Sequence, residues 1–393
     1  MRLNLSEFVA LYAQHPQIKH IAKWMRSASS ALRISGLQTS AKALAVATLS
    51  NEKTPPLFVI ENDADTAAYF YHDLTQLLGN ETVYFFPSSY RNSLKIGTKD
   101  TSNEILRTET LAKISAGKAA IVVSYPEAIA EKIISGKTLK ANALNLTVGE
   151  LTDTNLITAY LQKQGFIQVD FVYEPGQFSI RGSIFDIFSY SFERPYRIDF
   201  FGDEIESIRT FDIEKQLSLE NKKSITVLPN ISEIKTDRKS FFEFIGKESI
   251  FIFNNVLFVK GKINQLYDNL LTKLNQSNTL PDLHAQLIVG DEFLNCLSAF
   301  RTIEIGTKQF FKSAQEIEFQ TSAQPIFHKN FDLLSEQCKS YLQKGYRLYI
   351  CSDSVKQTDR IAAIFKDRNE NINFTPVVKT LHEGFIDHDL SIC

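Results

Sequence analysis

The chain has 393 residues, a length that predicts about two to three domains with separate hydrophobic cores. Hydrophobic residues make up 44% and charged residues 22%, a globular composition that excludes a disordered or collagenous chain. Forty-three basic and 45 acidic residues leave a net charge of −2, so any binding to nucleic acid would need a local basic patch. No run reaches the roughly 18 apolar residues of a membrane span. The first 25 residues predict an amphipathic helix and lack the features of a signal peptide.

The cysteines give no sign of a metal site or a disulfide framework. They are far apart, form no Cys-x-x-Cys pair and have no histidine nearby. We therefore expect reduced thiols in a cytoplasmic protein, with no bound metal. The four residues are Cys296, Cys338, Cys351 and Cys393.

Residues 1–136 predict the first part of a doubly wound α/β domain. Short apolar runs alternate with segments of helical periodicity, one of which Asp65 could cap. Repeated strand–helix units imply a parallel sheet with right-handed crossovers. The predicted strands are 32–35, 57–60, 83–86 and 119–123, and the predicted helices are 42–50, 68–78 and 103–116.

Residues 137–212 predict a small α+β domain inserted in the first one. A helix over 153–164 ends at Gly165, and the sequence then changes to short alternating runs separated by turns. Residues 174–177 fit a type II turn, with Gly176 at the position that requires a positive φ. The predicted strands are 166–173, 178–181, 184–188, 196–200 and 205–211.

The remainder predicts a return to the first domain over 213–322 and a further small α/β domain over 323–393. Strands are expected at 225–228 and 249–253 in the return part. The last domain shows a strand–helix pattern with helices at 332–343 and 355–366 and strands at 347–351 and 374–378. Because the chain ends directly after the apolar stretch 390–392, we expect it to be a piece of a longer protein.

The loop after the first strand resembles a degenerate phosphate-binding loop. Residues 36–43 read GLQTSAKA, compared with the pattern G-x-x-x-x-G-K-[ST]. Gly36 and Lys42 keep their places, but Ala41 replaces the second glycine and Ala43 replaces the hydroxyl that holds Mg²⁺. Without the glycine the backbone cannot easily form the phosphate cradle, and without the hydroxyl Mg²⁺ loses a protein ligand. We therefore do not expect nucleotide binding or hydrolysis here.

Two adjoining segments carry a resemblance to a known family. Residues 174–188 read EPGQFSIRGSIFDIF, and residues 195–212 read PYRIDFFGDEIESIRTFD. Both are similar, in this order, to the UvrB-like N-terminal module of bacterial transcription-repair coupling factors (Mfd). The degenerate loop fits the same family, whereas the excision-repair protein UvrB keeps an intact Gly-Lys-Thr.

The resemblance implies a helicase-like module that has lost ATP hydrolysis and carries an inserted domain that binds UvrA. In this family the full-length protein also contacts RNA polymerase and moves along double-stranded DNA with a separate motor that uses ATP and Mg²⁺. No motor motif occurs in these 393 residues. We therefore expect a recruitment module that is not itself an enzyme and needs no cofactor.

Matched position by position, the resemblance places the UvrA contact on Arg181 and Phe185. A cationic position of the family becomes Gln168 here, so one expected contact is altered. An arginine beside an aromatic ring is a common make-up of an interface. The residues alone leave another interpretation open, in which Arg181 pairs with Asp186 or Glu174 and Phe185 belongs to the core.

Two alternatives have different sequence signals. A nucleotide-binding helicase fragment is disfavoured by the altered loop. A direct DNA-binding surface would use basic residues beside the aromatic strand 84–86, although no dense basic run is present. The basic residues considered for it are Lys95, Lys99, Arg107, Lys113 and Lys118.

Overall fold

The computed structural model of the chain describes most of the sequence, and the helices and strands below refer to that part. Among the described residues, no helix combines the length and apolar character that crossing a membrane requires. The described ranges are 5–27, 29–51, 53–89, 100–234, 236–277, 283–306, 310–311, 314–328 and 330–393.

Helices and strands alternate over much of the chain. The helices are α1 (Leu5–Tyr12), α2 (Pro16–Trp24), α3 (Ala41–Leu49), α4 (Ala64–Leu78), α5 (Thr101–Ser115), α6 (Pro126–Ala130), α7 (Gly136–Ala141), α8 (Thr154–Lys163), α9 (Phe241–Phe244), α10 (Val256–Ser277), α11 (Gly290–Leu297), α12 (Phe331–Gln343) and α13 (Val355–Asp367). The strands are β1 (Ala31–Ser35), β2 (Leu57–Ile60), β3 (Val83–Phe85), β4 (Ile121–Ser124), β5 (Ile133–Ile134), β6 (Leu144–Thr147), β7 (Ile167–Gln168), β8 (Gln177–Arg181), β9 (Ile184–Ile187), β10 (Tyr196–Phe201), β11 (Glu204–Phe211), β12 (Ser218–Lys222), β13 (Ser224–Val227), β14 (Arg238–Lys239), β15 (Ile250–Phe253), β16 (Arg301–Ile305), β17 (Gln315–Glu318), β18 (Thr321–Ala323), β19 (Tyr349–Ser352), β20 (Thr375–Val378) and β21 (Phe385–Asp387).

The larger sheet is parallel throughout. Its strand order is β17-β1-β16-β15-β2-β4-β3. Strands that precede the smaller sheet in the sequence and strands that follow it are therefore interleaved. β2, β4 and β15 are buried along their whole length, which explains why they read as continuous apolar runs in the sequence. The prediction of an α/β chain with a parallel sheet is therefore confirmed.

The smaller sheet is almost entirely antiparallel and has the order β12-β11-β10-β9-β8-β7. Only the short edge pair β7–β8 is parallel. α8 packs on one face of this sheet through Ile157 and Leu161, which share a hydrophobic cluster with the strands. This sheet extends to Lys222 and its cluster to Val227, beyond the limit of residue 212 that we predicted. Gly176 has φ +85°, as the predicted type II turn requires.

The N-terminal helix differs from the prediction. Two helices replace the single helix expected over the first 25 residues, because Pro16 lacks a backbone N–H and starts a new helix at its first position. His15 caps this second helix, and its Nδ1 accepts a hydrogen bond of 3.0 Å from the Gln17 backbone N–H. The cap of α4 is also different: Asp63, not Asp65, forms a capping box with Thr66.

One half-buried carboxyl group of α5 has a raised pKa. This group belongs to Glu109, and burial is the main cause that raises its pKa to about 7. The charge of Glu193, from the loop before β10, raises this pKa further, while Lys113 lowers it. Because the folded protein holds the proton more tightly than the unfolded chain, Glu109 destabilises the fold increasingly as pH rises from about 4.5 to about 7.

We predict that Glu109→Gln stabilises the protein at pH 8, because the amide carries no charge to desolvate. The midpoint of thermal unfolding should rise by about 2–4 °C at pH 8 and by much less at pH 5. Glu206→Gln, at an exposed position of β11, is the control. An equal shift of Glu109→Gln at both pH values would show that the carboxyl charge is not responsible.

Candidate functional site

The two faces of the smaller sheet are chemically different. Residues opposite each other in antiparallel strands share a face, so the register assigns each side chain to one side. The core face, which contacts α8, carries Phe178, Phe185, Ile187, Tyr196, Ile198 and Ile208. The opposite face, called the outer face below, carries Ser179, Arg181, Ile184, Asp186, Arg197, Asp199, Phe201, Ser207 and Arg209.

The centre of the outer face is a carboxylate held by two guanidinium groups. Asp186 is fully buried. Arg197 binds it in a bidentate manner, with Nε 2.8 Å from Oδ1 and a terminal nitrogen 2.9 Å from Oδ2. Arg181 adds a third bond of 2.6 Å to Oδ2. The hydrogen bonds to Asp186 raise the pKa of Arg197 above its ordinary value. Two cations thus compensate one buried anion.

Arg181 is held in place and still presents donors to solvent. One terminal nitrogen donates to the Asp170 carbonyl oxygen at 2.7 Å, and the guanidinium carbon lies 4.6 Å from the centre of the Phe171 ring. These contacts and the Asp186 bond use two of its five N–H groups. Its side chain is 32% exposed, whereas that of Arg197 is only 13% exposed. Arg181 is therefore oriented by its neighbours and available to a partner.

Phe185 does not lie on this surface. Its ring is fully buried on the core face and stacks on Phe178 with ring centres 5.8 Å apart. The expectation that Phe185 contributes exposed area to a partner contact is therefore wrong, and the open interpretation that it belongs to the core is the one the structure shows. The reason is alternation: Phe185 and Asp186 are neighbours in β9, so they point to opposite faces.

Gln168 is exposed but lies apart from Arg181. It pairs with Phe178 across β7 and β8, and Arg181 follows three residues later on β8. At about 3.3 Å per residue, the two positions are roughly 10 Å apart along the strand. Glu174 makes no bond to Arg181, whose ion-pair partner is Asp186.

Sequence reasoning missed the other charged residues of the outer face. Arg209 pairs with Asp199, and Ser207 donates a hydrogen bond of 2.6 Å to the same carboxylate. The signal was present in the alternation of residues 196–200, which places Arg197 and Asp199 on the face away from Ile198. Only the strand register shows that these residues join the row that contains Asp186.

The degenerate loop at the end of β1 contacts other parts of the chain. Gly36 has φ +71°, and a Cβ atom there would lie 1.8 Å from the Phe319 carbonyl oxygen. Lys42 donates a hydrogen bond of 3.0 Å to the Asn254 side-chain oxygen. Asn254 in turn donates a hydrogen bond to the buried Glu61. Burial raises the pKa of Glu61 above its ordinary value, and Lys42 and Asn254 offset part of this increase. Ala41 and Ala43 are fully buried.

The segment 382–383 lies against the same loop. Ser40 donates a hydrogen bond of 2.6 Å to Asp73 and accepts one of 3.0 Å from the Glu383 backbone N–H. Asp73 also accepts a bond of 2.7 Å from the backbone N–H of His382, whose ring stacks on Tyr69 at 3.7 Å between centres. The start of α3 is thus tied to side chains and backbone of this chain.

Of the basic residues considered for DNA binding, three lie in the part of the chain that the structure describes. Arg107 is buried, donates to the Pro87 carbonyl oxygen at 2.6 Å and pairs with Glu131 at 3.2 Å. The Lys113 ammonium lies 5.6 Å from the centre of the Tyr84 ring, and Lys118 is exposed. Lys95 and Lys99 lie outside the described residues. Arg107 is a structural residue, so its assignment to a DNA groove is wrong.

A histidine and two carboxylates elsewhere could in principle hold a cation. His15 Nε2 is 3.4 Å from one carboxylate oxygen each of Asp387 and Asp389. However, His15 Nδ1 accepts a hydrogen bond from a backbone N–H, so the ring proton lies on Nε2 in the neutral side chain. This proton occupies the lone pair that a metal would need, and the cluster is better described as a buried contact between α2 and the segment after β21.

The comparisons with known proteins converge on one family. Residues 144–232 match the UvrB interaction domain. The chain is 31% identical to the transcription-repair-coupling factor of Bacillus subtilis over 196 residues, which is 50% of this chain and 17% of that protein. It is 29% identical to the Haemophilus influenzae factor over 339 residues, which is 81% of this chain and 28% of that protein.

Over these stretches the chain is similar to the bacterial transcription-repair-coupling factors. The matched parts span between 17% and 28% of these two relatives. Every outer-face residue named above, from Ser179 to Arg209, lies within the matched UvrB interaction domain. The resemblance inferred from the sequence is confirmed, and it covers the region that carries the candidate site.

We predict that Phe185→Ala destabilises the protein by about 3–5 kcal/mol, because it leaves a cavity beneath Phe178 in the small core. Urea unfolding followed by circular dichroism measures this loss. Phe171→Ala, at a half-exposed ring on the outer side, should cost much less. A small loss for Phe185→Ala would contradict its buried position.

We also predict that Lys42→Ala lowers the thermal midpoint by about 2–5 °C at pH 8, because it removes the cation near the buried Glu61. The double variant Lys42→Ala/Glu61→Gln should recover part of this loss. ATP with Mg²⁺ should shift the midpoint of neither the wild type nor the variants. A nucleotide-dependent shift that Lys42→Ala abolishes would instead support a working phosphate-binding loop.

Proposed function

We propose that this chain is a non-catalytic module that recruits UvrA in transcription-coupled nucleotide excision repair. The observation that carries the proposal is the outer face of the UvrB interaction domain. There, Arg181 is fixed by Asp186, Asp170 and Phe171 and keeps unused donors toward solvent. A guanidinium in this state can form a two-pronged bond to a carboxylate of UvrA.

The preorganisation of Arg181 is central to this proposal. A free arginine side chain loses rotamer freedom when it binds, and this entropy opposes association. Here the ion pair with Asp186 and the stacking on Phe171 have already restricted the side chain. The buried Arg197 neutralises Asp186 independently, so Arg181 can share its charge with a partner without leaving the carboxylate unpaired.

The larger sheet serves, in this proposal, as a helicase-like scaffold without ATP hydrolysis. The doubly wound topology, the position of residues 36–43 between β1 and α3, and the bond from Lys42 to Asn254 support this. Nucleotide and Mg²⁺ would bind only in the motor of a full-length factor. RNA polymerase and double-stranded DNA would be contacted there too, by parts outside this sequence. The whole protein would act in the cytoplasm, where these partners are found.

The change to Gln168 bears on affinity more than on the site. An amide at this exposed position can still donate a hydrogen bond, but it supplies no charge. Gln168 pairs with Phe178, a core-face residue, so it lies at the edge of the sheet on the other face from Arg181 and roughly 10 Å away along the strand. We expect UvrA to bind mainly through the outer face.

The test is a calorimetric titration of this chain with UvrA of the same organism. Wild type should bind, and Arg181→Ala should weaken binding at least ten-fold while circular dichroism shows an unchanged fold. Arg181→Lys should give an intermediate affinity, because lysine keeps the charge but not the fork.

The matched control is Arg360→Ala, an exposed arginine on α13 far from the small sheet in the sequence. It should bind as tightly as the wild type. Absence of wild-type binding, or equal binding by Arg181→Ala, would contradict the proposal.

A further inference from the structure

Burial of Phe185 removes one aromatic group expected beside Arg181, and the Phe171 ring that stacks on Arg181 already holds this side chain in place. Phe201 is 78% exposed. It lies on β10 two residues after Asp199 and four after Arg197, so the alternation of the strand places it on the outer face. Burial of this ring against a partner would be strongly favourable, and its place on the same face as Arg181 makes it a candidate for such a contact.

A second apolar side chain extends this position. Phe201 pairs with Glu204 of β11, and Leu151 forms an antiparallel bridge with the same Glu204 from the other side. Leu151 is 76% exposed. Residues directly opposite in neighbouring strands share a face, so Phe201 and Leu151 flank Glu204 on one surface. We call Phe201 and Leu151 the apolar pair.

The apolar pair lies next to the cationic residues. Arg181 is paired with Ile184, which is paired with Asp199, so two strand spacings separate Arg181 from Asp199. Adding the two-residue step to Phe201 gives a separation of roughly 12 Å between Arg181 and Phe201. This distance is well within one interface of ordinary size.

Arg209 provides a second exposed guanidinium on the same face. Its side chain is 33% exposed and pairs with Asp199 through one terminal nitrogen, while its Nε is buried, so only the terminal nitrogens can reach a partner. Ser207 donates to the same Asp199 carboxylate, which therefore keeps a partner if Arg209 turns toward a ligand. Arg181 and Arg209 thus place two partly exposed guanidinium groups on two sides of Asp199.

We propose that the UvrA contact is centred on Phe201, with Arg181 and Arg209 as its two cationic positions. This inference rests on the proposed function and specifies the surface it uses. The chemistry of the partner follows: an apolar pocket that receives the Phe201 ring, with carboxylates placed to meet the two guanidinium groups. Glu204, between Phe201 and Leu151, disfavours a carboxylate directly above the apolar pair, so the partner acids must lie over the arginines.

The experiment is a titration of UvrA into the wild type, Phe201→Ala, Arg209→Ala and Arg181→Ala. Because Phe201 is exposed, its replacement leaves the core intact, and thermal unfolding verifies this for each variant. Phe201→Ala should weaken binding at least ten-fold, and Arg209→Ala should weaken it about three- to ten-fold. Phe258→Ala, at an exposed phenylalanine of α10, is the control and should bind as the wild type does.

Each outcome is informative. Wild-type affinity for Phe201→Ala, combined with a loss for Arg181→Ala, overturns the inference and leaves the proposed function in place. No binding by the wild type overturns both. If Phe201 instead contacts a second copy of the chain, sedimentation will show a concentration-dependent dimer. Phe201→Ala would then convert this dimer to monomer without changing the affinity for UvrA, and this result would overturn the inference.

Discussion

The parallel sheet can be completed only by strands that come from both sides of the inserted unit. β15 forms hydrogen bonds with β2, and both neighbours of β1, namely β16 and β17, follow residue 300. The strands that precede the small sheet would have unpaired edges without the strands that follow it. The chain therefore leaves the larger sheet, forms the smaller sheet and then returns to the larger sheet. β6 precedes the smaller sheet in the sequence and β13 follows it, and these two strands pair with each other. The segments by which the chain enters and leaves the smaller sheet are therefore joined by hydrogen bonds.

A buried carboxylate organises that face. An isolated anion in the interior would be expensive, and Asp186 is tolerated because two guanidinium groups bind it. Arg197 carries most of this task and is itself enclosed by Phe211 and Gln216. Arg181 is the more exposed member, so in the proposed function Arg197 has the structural role and Arg181 the recognition role. The charge of Asp186 is consequently paired with Arg197 and Arg181, while the unused N–H donors of Arg181 face solvent.

Much of the fold could be predicted from local pattern, and the errors have identifiable causes. Strands such as 57–60 and 250–253 were predictable because they are buried on both faces and contain only apolar residues. The N-terminal segment was predicted as one helix because its periodicity continues across Pro16, yet the missing N–H interrupts the backbone there. Asp65 and Asp63 are both suitable caps, and only the backbone conformation selects Asp63.

For the candidate site, the sequence by itself determined the resemblance to the coupling factors, the altered loop at 36–43 and the choice of Arg181 as a candidate contact, because these depend on which residues occur in which order. It could not decide which face of β9 is covered. Alternation separates Phe185 from Asp186 but does not say which side meets α8. Only the tertiary structure decided this, because the packing of Ile157 and Leu161 buries Phe185 on the core face and places the partly exposed Arg181 on the other face. The same register brings Arg197, Arg209 and Phe201, from different strands, beside Arg181.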